Sequence, residues 1–356
     1  MAIHGTLSPA PTGEVTPKQL NSINEFIAKV LKSGDFKVLP LAGDASTRKY
    51  FRVVNDDKSW VLMLWDPFND IENYPFLNIR QHFAKAGVDV PKMIDLKPED
   101  GLVLLEDLGD LTLERKFWET QDQSISLPFY IQAIDELIKI HYNATNDHDE
   151  NCTAFNVKFD TDKFMWEMNY AKTHLIEGLA EVKISAAMAK RLESDFLKIC
   201  KILDRQPKRI SHRDYHSRNL MIKLDRVCVI DFQDARMGPV QYDLASLFHD
   251  SYVDMPKDMQ NKLLQYYFER AEGEFDQKFD RDEFHQIMLI QTVQRCFKAC
   301  GTFSSKLNAS DDRRYLHYIH PTLSTVVETL ETLGEFSNLK SIIVDEGLME
   351  IDYEGL

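Results

Sequence analysis

An α+β fold of two unequal lobes is predicted by the way the apolar pattern changes along the chain. Up to residue 106, short strand-like apolar runs are interrupted by two helical periods; from residue 107 onward long amphipathic helical patterns take over. One exception in the second part is itself informative. Two short apolar runs, 220–223 and 227–230, are separated by Leu224-Asp225-Arg226 and read as a hairpin, which brings the chain back to where it began. A small antiparallel sheet lobe followed by a larger helical lobe leaves a cleft at the hinge as the expected ligand site.

Residues 1–15, broken by Gly5, Pro9, Pro11 and Gly13, have no sustained apolar period and are expected to form a mobile arm. Thr16 as N-cap and Pro17 at the first helical position open a helix to about residue 31, with Gly34 beyond its end. Strands are expected at 36–41, 50–54 and 60–64, a helix at 74–86 stopped by Gly87, and strands at 90–96 and 101–106. Residues 16–106 would thus be a five-stranded, mostly antiparallel sheet with one packed helix. Residues 107–356 carry helical periods at 127–145, 161–176, 185–204, 256–271, 281–300 and 311–333.

Composition narrows the function classes. In 356 residues, 44% are hydrophobic and 28% charged, the balance of a chain that folds around its own core. The net charge of −15 opposes nucleic acid and anionic membrane surfaces, and no obligate protein partner is inferred; a small phosphate ligand is still compatible with a few local basic groups and a metal ion. No apolar run approaches the ~20 residues of a membrane span, and the first residues lack a signal-peptide core, so a cytoplasmic location is expected. The five cysteines form no Cys-x-x-Cys pair and are expected to be buried free thiols.

The chemistry concentrates in His212-Arg213-Asp214-Tyr215-His216-Ser217-Arg218-Asn219 and in Asp231-Phe232 after the hairpin. Two carboxylates and an amide at these spacings suit phosphoryl transfer, which needs an acceptor hydroxyl held in line and metal ions that neutralise the phosphate oxygens. Asp214 is expected to accept the hydroxyl proton, and Asn219 and Asp231, returned to its side by the hairpin, to hold magnesium.

These motifs, with Gly238-Pro239-Val240-Gln241-Tyr242-Asp243-Leu244-Ala245, resemble the aminoglycoside phosphotransferase and choline kinase superfamily, which shares the protein kinase fold. The resemblance covers nearly the whole chain. Within the superfamily, the segments 43–53, 105–109, 216–219 and 231–235 are similar to the bacterial anomeric kinases of N-acetylmuramate and N-acetylglucosamine. It implies ATP and Mg2+ as cofactors and a free anomeric hydroxyl on an amino sugar as the acceptor, in the recycling of cell-wall sugars. Other alcohols, such as an aminoglycoside, a choline-like alcohol or homoserine, and a nucleotide-binding pseudokinase are the alternatives. By position, His212 would brace the backbone near Asp231 and Asp243 would hydrogen-bond the catalytic loop from below.

The nucleotide half departs from the pattern. A protein kinase covers its phosphates with three glycines, whereas here Gly43 stands alone, so Ser46, Thr47 and Arg48 would take over the contact. Met63 occupies the place of the strand lysine, and Arg48 or Arg52 is expected to replace that charge, with no choice made between them. Glu72 then has no lysine partner. At the hinge, Glu106 and Leu108 are candidate nucleotide contacts.

For the acceptor, Gln291, Gln294, Arg295, Lys298 and Thr302 share one helix face. Arg295 and Lys298 would meet a lactyl carboxylate or the phosphate of the product, or form a solvated face. Glu167 and Asp234 are candidates for sugar hydroxyls. Trp166, Tyr170, Phe297 and Phe303 would stack on a sugar or fill the core.

Overall fold

The computed structural model describes residues 15–41, 48–120 and 122–356. The expected arm at 1–15 lies outside them up to residue 14. Helix α1 (Pro17–Leu31) starts with a capping box in which the Thr16 side chain accepts from the Gln19 N–H and the Gln19 side chain accepts from the Thr16 N–H. Strands β1 (Lys37–Pro40), β2 (Lys49–Asn55) and β3 (Lys58–Leu64) follow, then α2 (Pro75–Lys85), β4 (Met93–Lys97) and β5 (Leu102–Glu106). They form one fully antiparallel sheet in the order β1-β2-β3-β5-β4. Alternation along each strand sorts the two faces. Phe51, Val53, Leu62, Leu64, Leu102 and Leu104 pack against α1, whereas Met63, Val103 and Leu105 point to the opposite face with α2. The turn into β5 requires glycine: Gly101 has φ +68°, and a Cβ there would lie 2.0 Å from the Trp65 carbonyl oxygen.

The remainder is mostly helical. α3 (Leu113–Trp118), α4 (Gln123–Ile138), α5 (Thr153–Asn156), α6 (Thr161–Ala171) and α7 (Ala186–Asp204) precede β6 (Lys208–Ser211). The hairpin is β7 (Leu220–Lys223) and β8 (Arg226–Val229), with Leu224 and Asp225 both at positive φ. That is a two-residue turn of the kind whose twist matches the strands, so Arg226 belongs to the strand and not to the turn. β9 (Arg236–Pro239), α8 (Val240–Phe248), α9 (Lys257–Phe275), α10 (Arg281–Ser310), α11 (Ile319–Leu333) and α12 (Ser337–Asp345) complete the chain. α6, α7, α10, α11 and α12 share a second core, separate from the one that joins the sheet to α2, α4, α8 and α9.

Several expectations need correction. Strand pairing does not end at residue 106 apart from the hairpin, because β6 pairs with β9 and ties together the two ends of the segment 212–235. α8 was not expected: all nine of its residues are buried, and a helix covered on every side has no amphipathic period to read. The helix expected at 281–300 continues to Ser310, and those at 127–145 and 161–176 end in π-helical turns, Lys139–Ala144 and Lys172–Leu179. All five cysteines are free and buried. Among the described residues no helix is long and apolar enough to cross a membrane.

Candidate active site

The segment between β6 and β7 is held from below by one buried carboxylate. Asp243, fully buried on α8, accepts the backbone N–H of His212 at 2.7 Å and of Arg213 at 2.9 Å, and lies 3.2 Å from His141 Nε2. Arg213 sits at φ +84°, a strained turn held by these bonds. His212 Nδ1 accepts the Asp214 N–H at 3.3 Å, so Nε2 carries the proton and donates to the Ile230 carbonyl at 2.9 Å. The other end is anchored as firmly. Ser217 donates its N–H and hydroxyl to buried Asp250, and Arg218 makes a bidentate pair with Glu114 while lying 3.7 Å over the Tyr252 ring.

The hairpin then closes the cluster. The Ile230 N–H donates to the Asn219 carbonyl at 3.0 Å, placing Asp231 next to Asn219. Asn219 Nδ2 donates to the Asp214 carbonyl at 2.9 Å, which leaves Oδ1 as the acceptor atom of the amide. Asp231 has the left-handed φ of +61°, its side chain is about half exposed, and Oδ1 accepts from Gln233 Nε2 at 2.8 Å. Phe232 stacks behind it on Phe76 and lies tilted against Phe83, both of α2, coupling this segment to the sheet lobe. Among the described residues no three His, Cys, Asp or Glu side chains converge on a metal site. Two oxygen donors, one of them an exposed carboxylate, are the set that magnesium uses when phosphates and water supply its other ligands.

Asp214 occupies the centre. Its Oδ1 lies 3.7 Å from both Arg295 and Lys298, whose side chains are only 11% and 12% exposed. Burial alone would raise the Asp214 pKa, but Lys298, Arg213 and Arg295 outweigh it and hold the carboxyl well below the usual range. Beside it, burial pushes the His216 imidazole down to about 3, so this histidine is neutral.

A cavity of about 980 Å³ runs from the sheet to the helices past Asp214, Asn219 and Asp231. Its sheet end is an apolar slot of Leu41, Val61, Leu105, Leu108, Met221 and Ile230, suited to a flat heteroaromatic ring. Gly43, Ser46 and Thr47 lie outside the described residues. Glu106 lines the slot, but its carboxylate is bound to Lys223 at 2.9 Å and staples the strand β5 to the hairpin.

The two arginines separate clearly. Arg52 is held by Asp107 at 2.7 Å and Asp110 at 3.0 Å, which commits it to the hinge and argues against its expected phosphate role. Arg48 stacks 4.3 Å over the Trp65 ring with Nη1 3.9 Å from Asp231 Oδ1. Met63 is fully buried opposite Tyr50, one step along the same face. Arg48→Ala is therefore expected to raise KM for ATP by about tenfold or more, the usual cost of a charged hydrogen bond. Arg52→Ala should instead lower thermal stability, and Met63→Ala should do so by about 2–5 kcal/mol through loss of packing. Parallel ATP kinetics and melting curves separate these effects; an unchanged KM in Arg48→Ala would remove the arginine from the phosphate site.

On the helical side, Lys298, Thr302 and Phe303 line the large cavity together with Asp234, which pairs with Arg213 at 2.9 Å. Trp166, 53% exposed, is stacked on Tyr170 at the cavity wall, whereas Phe297 is fully buried core. Glu167 is a correction. It is fully buried, accepts from Gln294 Nε2 at 2.9 Å and does not line the large cavity, so it is not available to a sugar hydroxyl. Gln291 and Gln294 are likewise buried and bonded to each other. Close approach of α10 to α6 explains this: a Cβ on Gly301 would lie 2.3 Å from the Ala171 Cα. Sequence reasoning missed His216, Ser246, His249 and Asp250, which with Asp214, Arg295 and Lys298 line a second, smaller cavity of about 120 Å³, although His216 stood inside the His212–Asn219 motif.

An antiparallel sheet lobe, a helical lobe and a loop presenting aspartate, asparagine and aspartate at their junction define a phosphotransferase of the kinase-like fold. The family model described as phosphotransferase enzyme family matches residues 37–284, and the chain belongs to that family. An N-acetylmuramate/N-acetylglucosamine kinase of Neisseria meningitidis is 25% identical over 326 residues, 91% of this chain and 94% of the relative. One of the same name from Pseudomonas aeruginosa is 30% identical over 289 residues, 79% and 80% of the two chains. In fold the chain is similar to a choline/ethanolamine kinase family protein from Mesorhizobium loti, with a TM-score of 0.57 at 17% identity, covering 91% of this chain and 99% of that one.

Proposed function

We propose that this phosphotransferase is an ATP- and Mg2+-dependent amino-sugar kinase that phosphorylates the anomeric hydroxyl of N-acetylmuramate or N-acetylglucosamine in the cytoplasm. Residues 16–106 would bind the nucleotide and 107–356 supply catalysis and the acceptor site. The observation that carries the chemistry is Asp214, ionised and lining the large cavity beside Asn219 and Asp231. The acceptor is supported by relatives of that name matching most of the chain.

In this reading the adenine lies in the slot bounded by Leu108 and Met221, and Arg48 meets the phosphates. Asp214 accepts the proton as the anomeric oxygen forms its bond to the γ-phosphorus and the bond from that phosphorus to the ADP oxygen breaks. Asn219 and Asp231 would hold magnesium, whose charge would neutralise the phosphate oxygens. His212 and Asp243 act through the backbone, holding the loop in place. The test is to incubate the protein and ATP with each sugar and with its methyl glycoside, following phosphorus by nuclear magnetic resonance. A sugar 1-phosphate from the free sugars alone is expected; phosphorylation of the methyl glycoside would overturn the anomeric assignment.

A further inference from the structure

No carboxylate of α2 stands ready to hold a cation over the nucleotide, since its 11 residues include neither aspartate nor glutamate. Arg48 therefore needs another support, and strand register supplies one. β2 and β3 are paired as far as Lys49 with Leu64, and one step further the same register sets Arg48 opposite Trp65. The contact follows from it: the guanidinium carbon lies 4.3 Å from the centroid of the Trp65 ring. Trp65 is also two residues beyond Met63, so it shares the face on which a strand lysine would stand.

The ring is itself held in place. The Trp65 N–H donates to the Gly101 carbonyl at 3.0 Å, and the ring lies tilted against Tyr74 at 5.6 Å. Tyr74 in turn stacks on Phe68 at 3.9 Å and is the N-cap residue of α2. From the same helix Phe76 stacks on Phe232, the residue after Asp231, whose carboxylate is 3.9 Å from Arg48. These contacts close a circuit from the arginine through Trp65 and α2 to the carboxylate and back. Asp231 is the proposed magnesium ligand, so its hold on Arg48 weakens when a metal takes its charge, whereas the ring keeps its place. The Arg48 side chain is only 11% exposed, and a cation on an aromatic face is worth more where water is excluded.

We infer that Trp65 is a positioning residue for nucleotide binding: it holds Arg48 at the phosphates and is braced by Tyr74, so that an arginine–aromatic stack takes the place of the lysine–glutamate pair of protein kinases. The inference rests on the reading of Arg48 as the phosphate-binding cation and adds what aims it. Trp65 acts through Arg48 and need not touch the nucleotide.

The test is calorimetry of the magnesium complex of a non-hydrolysable ATP analogue with the full chain, with melting curves alongside. Trp65→Leu is expected to raise Kd by about three- to thirtyfold, and Trp65→Phe, which keeps a ring face, should recover most of the loss. In an Arg48→Ala background Trp65→Leu should leave Kd unchanged, because the side chain through which it acts is gone. A loss of the same size in both backgrounds, or a wild-type Kd in Trp65→Leu whatever its melting temperature, would overturn the inference while leaving Arg48 at the phosphates. A wild-type Kd in Arg48→Ala would overturn the reading of Arg48 and the inference with it. Should Trp65→Leu not fold, Trp65→Met, which refills the space with a flexible chain and no ring, takes its place in the cycle and is judged by the same outcomes.

Discussion

Asp214→Asn is expected to lower turnover by roughly 10²–10⁴ while ATP binding stays close to wild type, because the amide keeps the shape of the side chain and loses its capacity to take a proton. The side chain is a quarter exposed and faces two cations that the amide no longer neutralises, so melting curves belong beside the kinetics. Sign matters for the pH dependence. A carboxyl whose folded pKa is depressed stabilises the fold above its unfolded pKa of about 3.9, and that stability is lost only as pH falls through the folded value. Asp214 therefore stays ionised at neutral and mildly acidic pH, and any loss of activity there must come from another group. A variant with wild-type turnover would show that the proton goes elsewhere.

Asp231→Asn is expected to be inactive and to lose the magnesium dependence of nucleotide binding. Asn219 and Asp231 are the proposed oxygen ligands, and replacing the second by an amide removes the only formal charge that the pair offers a divalent cation. The variant keeps the hydrogen-bonding shape of the side chain, whose Oδ1 accepts from Gln233, and should fold. Nucleotide affinity measured with and without magnesium decides the matter: an unchanged ratio would place the metal on other ligands. The same variant should also relax Arg48, which stands 3.9 Å from the carboxylate.

These two effects concern residues whose grouping is local in the chain. His212, Asp214 and Asn219 lie in one loop, and a two-residue turn between β7 and β8 is enough to return Asp231 to Asn219. Short range makes such geometry readable, since turn chemistry and strand alternation set it before any distant contact forms. The sheet was readable for the same reason, because β1, β2 and β3 are successive hairpin neighbours and their alternation sorts one face toward α1. Family likeness added the acceptor class, which no spacing in the chain carries.

Helical spacing alone could not say which face of α10 meets what. Arg295 and Lys298 come to Asp214 from some eighty residues away in sequence, and the same spacing would have described a solvated surface equally well. Glu167 shows the opposite outcome: a polar residue that seemed available to a ligand is sealed between α6 and α10, where Gly301 lets the helices touch. The choice between Arg48 and Arg52, four residues apart with Tyr50 between them on the same face, was made by Asp107 and Asp110 at the hinge, which capture Arg52.

By itself, then, the sequence determined the lobe order, the antiparallel sheet, the catalytic loop and the hairpin that returns Asp231, because these depend on period, turns and residues near one another in the chain. Only the tertiary structure decided α8, the β6–β9 pair, the burial of Glu167 and the meeting of α10 with Asp214. Each of those depends on which surfaces face one another after packing, and a helical or strand period specifies a face without specifying its partner.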